Sequence, residues 1–221
     1  MKILSLVTTV LLAVGLWAQE GTIKYELTME SDDPQVQSQM AMMQNSTMTM
    51  YMKDKLFRQE TNMGNGLMVT TSIVNGETEK GIILMDGMMG KIASPFDTED
   101  QKEEATEEEE ADVEIEFTDE TKEILGFTCK KAIIYDEEGN EMIYWYTEEI
   151  SAPENEGKYM NQKIPGMPLE FSIQQPQITM VFKAVEYDDK VKKAKEMFDT
   201  NVPDGYTEKS LEAIQQMGGG Q

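Results

Sequence analysis

Apolar and polar residues alternate with period two along much of this chain, which predicts strands that bury one face. Ile23, Tyr25, Leu27 and Met29 alternate with Thr22, Lys24, Glu26 and Thr28. Met48, Met50 and Met52 oppose Thr47, Thr49 and Tyr51, and Val113, Ile115 and Phe117 oppose Asp112, Glu114 and Glu116. Leu169, Phe171 and Ile173 oppose Glu170, Ser172 and Gln174; Ile178, Met180, Phe182 and Ala184 oppose Thr179, Val181 and Lys183. Further strands are expected at Lys55–Asn62, Leu67–Val74, Lys80–Met85, Phe127–Tyr135 and Glu141–Thr147, with Asn75-Gly76 and Glu138-Gly139-Asn140 as turns. Gly64, Gly66, Gly87 and Gly90 also read as turn residues, and no glycine-rich phosphate loop is present. Helix is expected only at Gln35–Gln44, Lys190–Phe198 and Glu208–Met217.

About ten short strands with short connections predict an antiparallel sheet. Leaving the four apolar side chains of the first strand in water would cost about 6–12 kcal/mol. Something must therefore cover that face. Two sheets packed together would do so, as would one curved sheet wrapped over short helices. The helical segments favour the curved sheet.

Composition then narrows function. The chain carries a net charge of −23, so it repels nucleic-acid phosphates and anionic membrane surfaces. It has no histidine and a single cysteine, Cys129. Without histidine there is no Ser-His-Asp or Cys-His pair and no common zinc or iron ligand set. Residues 1–18 have the form of a secretory signal: Lys2, an apolar run from Ile3 to Trp17, then Ala18. Residues 19–206 are expected to form one β-rich domain, and 207–221 a short helix with a flexible tail. Within that domain, residues 97–112 are expected to be an acidic, disordered insertion. The insertion lacks the spacing of a calcium loop. No segment has the length and apolarity of a transmembrane helix.

Methionine is the strangest part of the composition, with nineteen in the chain. Met48, Met50 and Met52 would share one strand face about 7 Å apart, and Met40, Met42 or Met43 would have to fold over them to make a soft copper(I) site. Equally, flexible thioethers suit an irregular apolar interior. The carboxylate pair Glu148-Glu149 beside Tyr144 and Trp145 is the one most suited to a shaped site, yet nothing in the sequence places it opposite another group. No catalytic residue, cofactor or metal ligand is assigned, and the chain is not expected to be an enzyme.

Several motifs follow one another in order: G-T-I-K-Y-E-L-T-M-E at Gly21–Glu30, Y-M-K-D-K-L-F-R-Q-E at Tyr51–Glu60, T-K-E-I-L-G-F-T-C-K-K at Thr121–Lys131, W-Y-T at Trp145–Thr147, I-P-G-M-P-L-E at Ile164–Glu170 and F-x-x-x-V-P-D-G-Y at Phe198–Tyr206. In these the chain resembles the secreted Bacteroidota family known as domain of unknown function 4412. The resemblance implies similarity to the LolA/LolB-type carriers, whose curved antiparallel half-barrel holds lipid chains on a concave apolar face capped by helices. It implies no catalytic residues.

The expectation is therefore a mainly β protein, a curved antiparallel half-barrel with a few short helices, working in the periplasm or secreted. It would bind a lipid or lipoprotein acyl chain without catalysis. The candidate lining is Tyr25, Leu27, Met48, Met50, Met52, Phe171, Ile173, Met180 and Phe182. The alternatives are an envelope interaction module that presents Tyr144, Trp145, Tyr146 and the Ile164–Pro168 loop, and methionine-based copper(I) binding.

Overall fold

The structure is a computed structural model and describes residues 20–88, 90–98, 114–135, 141–151, 164–175, 178–211 and 213. The expected signal, most of the acidic insertion and most of the C-terminal helix and tail lie outside these residues.

The alternating segments become strands β1 (Glu20–Glu30), β2 (Ser46–Lys53), β3 (Leu56–Met63), β4 (Met68–Asn75) and β5 (Lys80–Gly87). They continue as β6 (Gly90–Asp97), β7 (Glu114–Ile124), β8 (Phe127–Tyr135), β9 (Glu141–Thr147), β10 (Met167–Gln175), β11 (Ile178–Asp188) and the two-residue β12 (Thr207–Glu208). All twelve join one sheet, in the order β12-β6-β5-β4-β3-β2-β1-β11-β10-β9-β8-β7. Every pairing is antiparallel except β12 with β6. The edge strands β12 and β7 do not pair with each other, so the sheet is open rather than a closed barrel.

The sheet curls strongly at its β7 end. β8 and β11 are three positions apart, which is roughly 14 Å on a flat sheet. Yet Phe127 of β8 meets Tyr187 of β11 edge to face with ring centroids 5.1 Å apart. Lys122 Nζ of β7 likewise reaches Glu170 Oε1 of β10 at 2.6 Å. Register breaks between Phe117 and Thr121 in β7, and between Pro168 and Glu170 in β10, supply bulges that permit this bend.

Cross-strand partners assign the faces. Ile23, Tyr25 and Leu27 share a face with Met50, Met48 and Phe182, and Phe171 shares it with Phe182 and Tyr144. This inner face holds the large core cluster. The opposite face of β2 to β6 carries Tyr51, Ile73, Ile82 and Ala93, which form a second cluster with Val191 and Phe198. Those two residues belong to a strap that leaves β11, crosses this face and ends as β12 beside β6. Val191 N–H donates to Glu20 Oε1 at 3.0 Å, Thr22 Oγ1 donates to the Lys190 carbonyl at 3.1 Å, and Arg58 Nη1 donates to the Met197 carbonyl at 3.3 Å. Lys53 and Val191 together hold the Glu20 carboxyl below its ordinary range.

Three expectations are corrected. Gly90, expected as a turn residue, opens β6 (Gly90–Asp97), a strand not among those expected. Proline is tolerated because β12 pairs β6 only at Ile92 and Ala93, so no outer ladder needs an N–H at Pro95. The helix expected at Gln35–Gln44 is α1 (Pro34–Met40) followed by a 3₁₀ turn at Ala41–Met43, and no described side chain of either is fully buried. The helix expected at Lys190–Phe198 shrinks to α2 (Ala194–Met197), because Lys193 sits at φ 56°, in the left-handed region. Its apolar spacing still serves: Val191 and Phe198 are buried, but against the outer face rather than over the inner one.

Candidate functional site

The nine residues expected to line an apolar site do meet on one face. Phe171 is their hub. Its ring stacks on Phe182 at 4.7 Å and on Tyr144 at 5.7 Å, and meets Tyr25 edge to face at 5.9 Å. Tyr25 Oη, buried with it, donates to the Pro168 carbonyl at 2.8 Å, which satisfies a hydroxyl that would otherwise be costly to bury. Burial raises the Tyr25 phenol pKa, and it pushes Tyr144 up to about 12.

The face is not uniform along its length. Tyr25 and Met50 are 0 % exposed, Met48 and Phe171 1 %, and Met52 2 %. Side chains this closed touch neither solvent nor a water-sized space, so here the inner face is packed core. At the end of the sheet where β1 stops and β11 begins, packing loosens. Ile173, Met180 and Met29 pair across β10, β11 and β1 there, and all three are only half-buried. Met142 of β9 is half-buried at the same end.

A second, polar feature lies under the curled hairpin. Lys122 Nζ sits 4.2 Å from the Trp145 ring centroid while it pairs with Glu170, and Lys131 Nζ stands 5.9 Å from the same ring while it pairs with Glu120 at 2.8 Å. Beside them is a shallow groove of about 250 Å³ lined by Lys122, Glu123, Ile124, Leu125, Glu170, Lys183 and Ala184. None of the nine expected lining residues borders it.

The model of the family described as Domain of unknown function (DUF4412) matches residues 21–163. The chain belongs to this family. The match runs from β1 through β9, so the motifs at Ile164–Glu170 and Phe198–Tyr206 fall beyond it, as do β10 and β11 with Phe171 and Phe182. No curated protein matches the chain. Two solved structures of PNGF-II are similar to 90 % of it at 16 % identity, with TM-scores of 0.51 and 0.49. The chain spans about a third of the length of those proteins (32 % and 33 %). At that identity the first match shows likeness of fold alone, and the second carries no argument.

The structure treats the remaining candidates differently. Tyr144 and Tyr146 are 4 % exposed, Ile164 is 4 % and Met167 is closed, while Trp145 is half-buried beneath two lysines. This strand therefore offers no exposed aromatic anchor. Met48, Met50 and Met52 lie in packed core against Tyr25, Ile23 and Phe57. Glu148 is exposed and paired with Lys130 at 2.8 Å, and Glu149 accepts from Thr128 N–H. Among the described residues no cluster of three His, Cys, Asp or Glu side chains is placed to hold a metal ion. Sequence reasoning missed the groove, because its charges come from β7, β10 and β11, far apart along the chain.

Cys129 is fully closed, and burial raises its thiol pKa from 9.0 to about 11. Native protein at pH 8 is expected to react with Ellman's reagent at least ~100-fold more slowly than protein in urea. Since the folded state keeps a proton that the unfolded state loses above pH 9, this residue's contribution to stability is intact below pH 9 and falls as pH rises toward 11. Urea titrations at pH 8 and 10.5 on wild type and Cys129→Ala would show it: the variant should lose less stability between the two.

Proposed function

We propose that this chain is a non-enzymatic protein of the cell envelope, periplasmic or secreted, that holds an apolar ligand such as a lipid or lipoprotein acyl chain at the loose end of its inner face. The observation that supports it is the gradient along that face. The same apolar surface that is solid around Phe171 ends in half-buried Met29, Ile173 and Met180. Flexible thioethers at the mouth of an apolar surface adapt to a chain of variable shape. Likeness to LolA/LolB-type carriers is part of the proposal and rests on the open, curved antiparallel sheet, an analogy of fold.

Native mass spectrometry of protein purified from its own envelope is the test. A co-purified species of lipid mass, reduced at least ~10-fold in a Met180→Asp variant that still folds, is the expected result. If neither purified nor delipidated protein carries or takes up a fatty acid, the proposal fails.

A further inference from the structure

The consecutive hairpins β3–β4 and β4–β5 gather a second group of methionines. Met63 ends β3 and Met68 opens β4; they are directly opposed across the turn between them. Met68 also faces Gly87 of β5, and Met85, two residues before Gly87, is paired with Thr70. Met63, Met68 and Met85 therefore occupy the same face on three adjacent strands. Directly opposed side chains start about 5 Å apart and diagonal ones about 7–8 Å, a span that long side chains cross.

Gly87 clears the space between them. A Cβ at that position would lie 3.7 Å from Met68 Cγ, so the Met68 side chain lies over Gly87, toward the strand that carries Met85. All three methionines are half-buried, so an ion from solvent can reach them. Ser46 ties a fourth nearby. Its buried Oγ donates to the Met43 carbonyl at 2.6 Å and accepts from Gly64 N–H at 3.1 Å, which holds the 3₁₀ turn against the β3–β4 turn. The neighbouring β5–β6 turn carries Met88, 88 % exposed.

We infer that this corner binds a single copper(I) ion through the thioethers of Met63, Met68 and Met85. Thioether sulfur is a soft ligand that selects copper(I) over the hard cations drawn to an acidic chain. The site differs from Met48, Met50 and Met52, which are closed in the core. It also uses none of Met29, Ile173 and Met180, so it stands or falls independently of an acyl ligand.

The test is anaerobic titration with copper(I) against the competing chelator bicinchoninate, on wild-type, Met63→Leu/Met68→Leu/Met85→Leu, Met48→Leu/Met50→Leu and Cys129→Ala proteins. Leucine keeps the size and apolarity of methionine, and circular dichroism confirms that each variant folds. One copper per chain with sub-micromolar Kd is expected, weakened at least ~100-fold in the triple variant and within ~3-fold of wild type in the other two. Silver(I), a stand-in of the same charge and softness, should shift the methyl signals of Met63, Met68 and Met85 in protein labelled with ¹³C-methyl methionine. Binding no tighter than micromolar, or binding that survives in the triple variant, overturns the inference.

Discussion

Replacing Gly166 with alanine is expected to cost at least ~3 kcal/mol and to leave little folded protein at 37 °C. Gly166 adopts φ 138°, where L residues are strained. Space forbids the change as well: a Cβ there would run into the Thr147 carbonyl oxygen and lie 2.8 Å from the Thr147 carbonyl carbon. That backbone cannot step aside, because Thr147 pairs with Met167 and the Met167 N–H donates to the Ile150 carbonyl at 3.1 Å. Urea denaturation followed by circular dichroism would measure the loss. By contrast, Gly126→Ala has no atom within 4 Å of the new Cβ and carries only the strain of φ 86°. Its penalty should be about 1 kcal/mol. Equal losses at the two positions would mean that the close approach of residues 164–166 to Thr147 is unimportant.

Phe171→Ala is expected to destabilise by about 3–5 kcal/mol. Its ring is closed from solvent and touches three other rings, so truncation leaves a cavity that Tyr25, Tyr144 and Phe182 cannot refill without leaving their own contacts. Phe117→Ala, at a ring 51 % exposed, should cost under about 1 kcal/mol and serves as the control. Thermal or urea melts of both variants decide the matter, and the result bears on function. A cost below ~1 kcal/mol at Phe171 would show that the inner face is not solid there, and that ligand space extends deeper than Met180 and Ile173.

Strands were legible wherever one side of a strand is apolar and the other polar, as at Ile23–Met29 and Met48–Met52, because such alternation is a local consequence of burying one face. Gly90–Asp97 escaped notice because its buried run, Ile92, Ala93 and Ser94, does not alternate and is followed by Pro95. The strap was half-legible. Val191, Ala194 and Phe198 have helical spacing, but the left-handed backbone at Lys193 shortens the helix, and nothing local says which face of the sheet it covers.

The sequence by itself determined a β-rich chain without histidine, and in segments of clear alternation such as Ile23–Met29 and Met48–Met52 it determined which residues share a face, since side chains alternate along regular extended backbone. Only the tertiary structure decided which strands are neighbours. It placed β11 beside β1 although they lie some 150 residues apart in the chain, which set Phe182 against Leu27. The same pairings turned one face into solid core at Phe171 and a looser apolar end at Met180. The β3–β4 and β4–β5 hairpins brought Met63, Met68 and Met85 to one corner, while the partners of β2 on either side closed Met48, Met50 and Met52 inside. The period of two assigns a face, but register and curl are set by contacts between distant segments, and those decide which side chains on that face stay reachable.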